Sequence, residues 1–367
     1  MRFYLSQAIK MVLQHVAMPV LYRYFCMRYK IDDNLIVFAD AHSNKLPYSM
    51  QYVYRELSHM GYRTEKHLAD FSTTGTVEKV KAITHFARSY ARARCVIICS
   101  YYLPVSSARK RKGTTVVQLW HASGTWKKIG YDSPEDIPHL SVGNQTKNYD
   151  LVTVSSPALI PYYRSAFRLP EGAAVATGIS RTDIFFEPSY IADCKALWLE
   201  KYPHLADKKI ALWAPTFRGK APHRYTAGID SMMELDLPDD WILASKIHVS
   251  APDSTDMFQP DIPAEKLLPI ADVVITDFST IIFEAALLKK PVILFQPEKE
   301  SYKQNRGIYF PTSKVPAPLT GDNSTLAQAI IKAEQDYDRA KWIEFSAKYM
   351  SACDGYATER IIKRIFA

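Results

Sequence analysis

The chain predicts an α/β protein of two doubly wound parallel-sheet domains facing a cleft, behind an N-terminal amphipathic helix, and three observations lead there. Its 367 residues exceed what one hydrophobic core usually serves. Short runs rich in β-branched and aromatic residues alternate with longer helix-patterned stretches, the rhythm of βαβ units. Each run stops at small or polar residues, so polar side chains gather at strand carboxyl ends, where open parallel sheets hold their ligands. With 47% apolar and 23% charged residues the composition is that of a folded globular chain.

Taken in order, residues 1–30 read as a helix that mixes Leu, Ile, Val, Met and Tyr with Arg2, Lys10, Arg23, Arg28 and Lys30. Lys10, Gln14, His15 and Arg23 interrupt its apolar residues and Pro19 is expected to break its middle, so no stretch reaches the roughly 20 apolar residues of a membrane span. No small-residue cleavage site follows a clean apolar core, which argues against a secretory leader. Two readings fit: a helix lying in a headgroup layer, or a surface helix packed on its own domain. Residues 31–190 form the expected first domain, with strands at 35–39, 95–100, 115–119, 151–154 and 174–177 and helices at 49–60 and 77–93. Residues 191–345 form the second, with strands at 210–214, 241–247, 273–276 and 292–295 and helices at 283–288 and 326–336. The remainder, 346–367, holds a helix from about 355 to 366 that is expected to cross back to the first domain.

Charge and cysteine content narrow the function. The 46 basic against 38 acidic side chains give a net charge of +8, which favours anionic partners. The five cysteines (Cys26, Cys95, Cys99, Cys194, Cys353) are scattered without C-x-x-C spacing, so neither a disulfide framework nor a structural zinc site is expected, and a reducing cytosol fits. Nucleic acid is excluded as a partner: the basic run Arg109-Lys110-Arg111-Lys112 precedes a core strand and lacks interleaved aromatics. Asp336-Tyr337-Asp338 spells D-x-D but falls near a helix end, away from strand ends, and no cluster has metal-ligand spacing. No cofactor is therefore assigned, and Mg2+ remains compatible with a diphosphate ligand.

The chemistry-bearing residues follow predicted strands. After Val116-Val117-Gln118-Leu119-Trp120 comes His121, whose near-neutral pKa suits a general base for a hydroxyl nucleophile. A lone histidine after a strand is more often structural, and here Gly124, which permits close approach, and Lys127-Lys128, which can meet negative charge, favour function. Ala214-Pro215-Thr216-Phe217-Arg218 delivers Arg218 past a strand, where a guanidinium can clamp two phosphate oxygens; a surface ion pair is the plain alternative. Lys246-Ile247-His248 ends the next strand. Then Thr276-Asp277-Phe278-Ser279-Thr280 passes straight from strand to helix, offering hydroxyls and a helix N-terminus to a phosphate. Asp277, an anion, reads as a cap or loop brace. Glu284, a turn later, could accept from polyol hydroxyls or pair with a lysine. Arg306-Gly307 adds a further cation. On the first domain, His42 and Asn44 after the first strand are acceptor-side candidates that an exposed loop explains equally well.

In the order and spacing of these segments, with Gly178-Ile179-Ser180-Arg181-Thr182-Asp183, the chain resembles the CDP-glycerol glycerophosphotransferase family of teichoic-acid synthesis, from the first strand to the C-terminus. It departs where the family has His-Pro and this chain has His248-Val249, and where a second Ser is replaced by Thr280. The resemblance implies a GT-B-like fold and transfer of glycerol phosphate from CDP-glycerol to a lipid-linked acceptor at the cytoplasmic face of the cell membrane, with an anionic membrane surface as a partner. It implies His121 as base, Arg218, His248, Ser279, Thr280 and Arg306 as diphosphate-binding groups, and Glu284 as a nucleotide or glycerol contact. The short length and the Ala-Ser-Gly after His121 are most similar to the primase, which adds the first glycerol phosphate to a ManNAc-GlcNAc-diphosphoundecaprenol acceptor and releases CMP. Glycerol- or ribitol-phosphate polymerisation, a sugar-nucleotide glycosyltransferase and a non-catalytic nucleotide-binding membrane scaffold are the alternatives. Only the last would be indifferent to loss of His121.

Overall fold

The computed structural model describes residues 2–137, 144–219, 224–247, 256–321 and 323–367. It divides into two compact units: the first holds Met1–Ser123, Ile129–Asp183 and Ser351–Ala367, the second Gly124–Lys128 and Ile184–Met350.

Unit 1 is built on a six-stranded, all-parallel sheet in the order β2-β1-β3-β4-β5-β6. Its strands are β1 (Asp32–Asp40), β2 (Arg63–Leu68), β3 (Ala93–Ile98), β4 (Thr115–Gln118), β5 (Leu151–Thr153) and β6 (Ala174–Val175). Residues 35–40 of β1 are all buried, because helices cover both faces of a parallel sheet and the strand therefore reads as a continuous apolar run. At the edge, β2 (RTEKHL) pairs on one side only, which is why its polar sequence gives no strand signal. Helices α1 (Arg2–Val12), α2 (Met18–Arg28), α3 (Tyr48–His59), α4 (Thr76–Arg92), α5 (Leu103–Ser106) and α6 (Ile160–Phe167) follow in chain order.

The N-terminal segment corrects one expectation. Pro19 does not break it: Leu13–Ala17 form a π-helical turn between α1 and α2, and Pro19 occupies the first turn of α2, where its missing N–H is not needed. α2 packs on α4 through Met18 and Tyr22, the latter 4.7 Å from the Tyr90 ring. Arg111 sews this helix down: its guanidinium donates to the carbonyls of Tyr29 (2.7 Å), Ala91 (2.8 Å) and Cys26. The basic run is thus partly consumed by the fold, as Lys110 also pairs with Asp150 at 3.0 Å. Among the described residues no helix is long and apolar enough to cross a membrane.

Unit 2 holds α7 (Tyr190–Lys201) and a five-stranded parallel sheet in the order β10-β7-β11-β12-β13. Its strands are β7 (Lys209–Trp213), β10 (Trp241–Ser245), β11 (Val273–Thr276), β12 (Val292–Phe295) and β13 (Leu319–Thr320), and a small antiparallel hairpin, β8 (Phe217–Arg218) with β9 (Tyr225–Thr226), follows β7. α8 (Ile281–Leu287), α9 (Lys299–Asn305), α10 (Asn323–Lys332) and α11 (Arg339–Tyr349) are among its helices. The last helix, α12 (Ala357–Phe366), belongs to unit 1, where Ile361, Ile362 and Ile365 enter the core beside Ile36, Met50 and Leu57. Its first turn is capped from a distance by Asp183, whose carboxylate accepts from the N–H groups of Ala357 (3.1 Å) and Thr358 (2.7 Å).

Candidate functional site

In unit 1 the carboxyl ends of β1, β3 and β4 converge on His121. The buried Asp40 closes β1, its carboxylate accepting from the His42 N–H at 2.9 Å and from the Ser100 hydroxyl. Burial, and then the Asp40 charge, push the Cys99 thiol well above its ordinary value, so Cys99 is a weak donor and no nucleophile. Its backbone serves instead: His121 Nδ1 lies 3.1 Å from the Cys99 carbonyl oxygen. A carbonyl can only accept, so Nδ1 carries the proton and Nε2 the lone pair. The turn that places this exposed imidazole is strained, with Trp120 at φ 59, a conformation bulky side chains seldom adopt. Gln118 holds it, accepting from the Trp120 N–H (2.9 Å) while its Nε2 donates to Ser100 O (3.0 Å). Arg181 Nη1 donates to His121 O at 2.9 Å.

The acceptor-side candidates fall on the same edge with different parts to play. Asn44 Oδ1 accepts from the Asp70 N–H (2.9 Å) and so ties the loop after β1 to the one after β2, while His42 is exposed.

In unit 2 the strand-to-helix junction is the centre. Asp277, expected as a helix cap or loop brace, accepts from Thr216 N (2.9 Å) and Thr216 Oγ1 (2.6 Å) and lies 2.9 Å from Arg218 Nη2. Arg218 Nη1 donates to Thr216 Oγ1 (2.6 Å) and O (3.2 Å), and its guanidinium lies 4.2 Å from the centre of the Tyr302 ring, itself stacked on Phe278. The Arg218–Asp277 contact is an ion pair, but a buried one, each side chain 5% exposed. Nη2 is at ion-pair distance yet off the hydrogen-bond direction, so it and Nε are buried with no hydrogen-bond acceptor among the described residues. Burial, reinforced by the Asp277 charge, holds the Tyr302 hydroxyl protonated far above its ordinary range. Ser279 Oγ accepts weakly from Ile281 N (3.4 Å), Thr280 caps α8 through its backbone alone, and Glu284 is buried in the first turn.

The segment after His121 joins this unit. Gly124 lies where a Cβ would sit 2.6 Å from the Phe283 ring, so only glycine lets the chain rest on α8. Lys127 bridges Ile308, Lys128 N–H donates to Gly307 O (2.9 Å), Arg306 Nε donates to Lys128 O (3.1 Å), and Trp126 Nε1 donates to Phe310 O (3.0 Å). Two motifs far apart in sequence thereby become one patch carrying Lys127, Lys128 and Arg306. His248 lies outside the described residues. Sequence reading passed over Gln118, Arg181 and Tyr302. Gln118 alone leaves a signal, a lone polar residue inside an apolar strand, whereas the other two act through contacts that no spacing reveals.

Residues 20–367 match the CDP-glycerol:poly(glycerophosphate) glycerophosphotransferase family. The teichoic acid ribitol-phosphate primase of Bacillus spizizenii is 32% identical over 313 residues, 78% of this chain and 79% of that one. The teichoic acid glycerol-phosphate primase of Bacillus subtilis is 25% identical over 296 residues, 74% and 73% of the two chains. Among solved structures, the wall teichoic acid polymerase TagF aligns with a TM-score of 0.73 at 21% identity, over 100% of this chain and 96% of that one, a likeness that shows the GT-B-like fold. The fold is GT-B-like, and the family match makes the chain a transferase. The chain belongs to the CDP-glycerol:poly(glycerophosphate) glycerophosphotransferase family, the transferases of teichoic-acid synthesis.

Proposed function

We propose that the protein transfers one polyol phosphate from a CDP-linked polyol to a hydroxyl of a lipid-linked disaccharide, releasing CMP and priming a teichoic acid chain. The observation that carries the reading is the tautomer of His121: the Cys99 carbonyl fixes the proton on Nδ1 and directs basicity to Nε2. In the proposed step Nε2 takes the acceptor hydroxyl proton as that oxygen bonds to the phosphorus bearing the polyol. The bond from that phosphorus to the bridging oxygen breaks, and CMP leaves with the bonding pair. Such transfers are chiefly positioning and charge neutralisation.

The donor diphosphate is assigned to unit 2. Arg218 Nε and Nη2 are buried without a hydrogen-bond acceptor among the described residues, which a phosphate oxygen would supply, Ser279 and Thr280 offer hydroxyls, and Arg306 with Lys127 adds charge. Glu284 is proposed to contact the polyol or ribose, and His248 the diphosphate. A magnesium ion bound to the donor diphosphate is compatible with the step, in which it would help neutralise the phosphate charge. The sequence points to CDP-glycerol as donor, but 32% identity to a ribitol-phosphate primase against 25% to a glycerol-phosphate primase favours CDP-ribitol. Work at the cytoplasmic membrane surface is supported by the exposed apolar side chains of the N-terminal helix, among them Leu5, Ile9, Val16 and Met27.

The test supplies CDP-ribitol and CDP-glycerol separately with a short-chain analogue of the disaccharide-diphosphate lipid and resolves the products by mass. A single added ribitol phosphate is expected. A ladder of additions would make the chain a polymerase, and absence of CMP release from both donors would overturn the reading.

A further inference from the structure

The segment Gly178-Ile179-Ser180-Arg181-Thr182-Asp183, between β6 and the crossing to unit 2, takes no part in the step described above, yet it is pinned closely to unit 1. Gly178 has φ 83, and a Cβ there would collide with the Ala352 carbonyl oxygen, so only glycine lets the chain pass. Its N–H donates to Val154 O at 3.1 Å. Ser180 Oγ and Thr358 Oγ1 share a hydrogen bond (2.8 Å), Thr182 Oγ1 donates to Ile179 O (2.8 Å), and Asp183 caps α12. Ser180, Thr182 and Asp183 are buried and serve the fold. Arg181 is the exception. Its half-buried side chain turns to the carboxyl ends of the strands, where Nη1 donates to His121 O at 2.9 Å and the guanidinium lies 4.8 Å from the centre of the Tyr48 ring at the start of α3.

The residue it grips follows the strained point of the site. Trp120 is held at φ 59, and a backbone in that region persists only where its surroundings over-determine it. Gln118 secures the near side through the Trp120 N–H (2.9 Å), and Thr153 Oγ1 donates to Leu119 O (3.0 Å). On the far side the chain runs on to Ser123 and leaves unit 1, and there Arg181 holds His121 itself with a charge-assisted donor on its carbonyl. The guanidinium is also within electrostatic reach of Cys99: burial and then Asp40 raise the thiol, and the Arg181 charge opposes them. One cation thus stands beside both residues of the Nδ1–carbonyl pair that fixes the tautomer. Released from Arg181, the turn can relax toward negative φ. The 3.1 Å contact of Nδ1 with Cys99 O would go with it, leaving the imidazole to rotate and exchange tautomers.

We propose, resting on the transferase reading above, that Arg181 is a positioning residue for the reaction: by holding His121 O it keeps the imidazole on the Cys99 carbonyl, with Nε2 open to the acceptor hydroxyl. A misplacement of about 1 Å can cost about 10²-fold in rate, so a side chain that touches no reacting atom can still control turnover.

The test is a double-mutant cycle between Arg181 and His121, read by single-turnover CMP release, beside the ring-nitrogen NMR spectrum of protein carrying isotope-labelled histidine. Arg181→Met keeps an unbranched stem and removes the donor. It should slow CMP release about 10- to 100-fold with donor affinity unchanged. In a His121→Gln background the same change should cost no more than about twofold, because a residue acting through His121 has nothing left to act on. In the wild-type spectrum Nδ1 of His121 should be the protonated nitrogen and Nε2 the bare one; in Arg181→Met the two signals should draw together as tautomers interchange. Arg181→Lys keeps a cation and a donor, so it should fall between wild type and Arg181→Met in both readings, and it carries the test should the methionine variant fail to fold. An equal fractional loss in both backgrounds overturns the proposal, since Arg181 would then act on substrate directly. A ring spectrum unchanged by loss of the guanidinium overturns it as well, reducing Arg181 to a structural contact. Should the wild-type chain release no CMP from any CDP-linked polyol, the transferase reading fails, and the spectrum alone still decides whether Arg181 fixes the imidazole.

Discussion

Arg218 and Asp277 show how one ion pair can shape a site. A charge-compensated guanidinium at 5% exposure contributes less long-range field than a free one, but it is held to one geometry by Asp277, Thr216 and Tyr302. Truncating one member of a buried pair leaves the other charge uncompensated, at a typical loss of about 3–5 kcal/mol, whereas replacing both with apolar residues is often near neutral. Asp277→Ala should therefore destabilise unit 2 by about that amount in urea unfolding, and Arg218→Met with Asp277→Leu should recover most of it without recovering donor binding. Recovery of donor affinity in the double variant would show that Arg218 does not reach the diphosphate. Sequence alone placed both residues at strand ends and read Asp277 as a helix cap or loop brace. It could not tell a buried pair from a surface one, because burial depends on Tyr302 and Phe278 arriving from elsewhere in the chain.

At the scale of elements, the loop from Gly124 to Lys128 is where local rules and tertiary packing meet. Its residues follow a strand of unit 1 and yet pair with residues 306–310 and rest on α8 of unit 2. A methyl group at Gly124 would drive into the Phe283 ring at 2.6 Å, and that ring is stacked on Phe345 at 5.6 Å and cannot yield freely. Gly124→Ala should lower the stability of unit 2 by about 1–3 kcal/mol, the usual range for overpacking, and reduce turnover; an unchanged Tm would mean that Phe283 moves aside. The core strands were legible because a parallel sheet covered on both faces writes them as unbroken apolar runs, as in Val273–Thr276 and Val292–Phe295. The edge strand β2 and the β8–β9 hairpin were not, since one-sided pairing lets Arg63, Glu65 and Lys66 stand in a strand. Pro19 misled for a related reason: in the first turn of α2 it is a helix residue, and the π-helical turn before it carries the chain through.

Across the whole molecule the chain leaves unit 1 twice, at 124–128 and at 184–350, and returns to it each time. Asp183, the last residue before the longer excursion, caps α12 just after its end, and burial raises its carboxyl above the ordinary range in spite of the two N–H groups it accepts from. The proposed base, His121, lies in unit 1, and the proposed phosphate-binding groups Arg218, Ser279, Thr280 and Arg306 lie in unit 2. A net charge of +8 suits the anionic donor, acceptor and membrane surface proposed above. His121 is the proposed base, and its role is measured by single-turnover CMP release from the CDP-linked polyol by wild type and His121→Gln, with donor affinity followed in parallel. A loss of about 10²–10⁴ in rate for His121→Gln with donor affinity unchanged is expected of a general base. An unchanged rate, or a loss of donor binding that accounts for the whole effect, would contradict it.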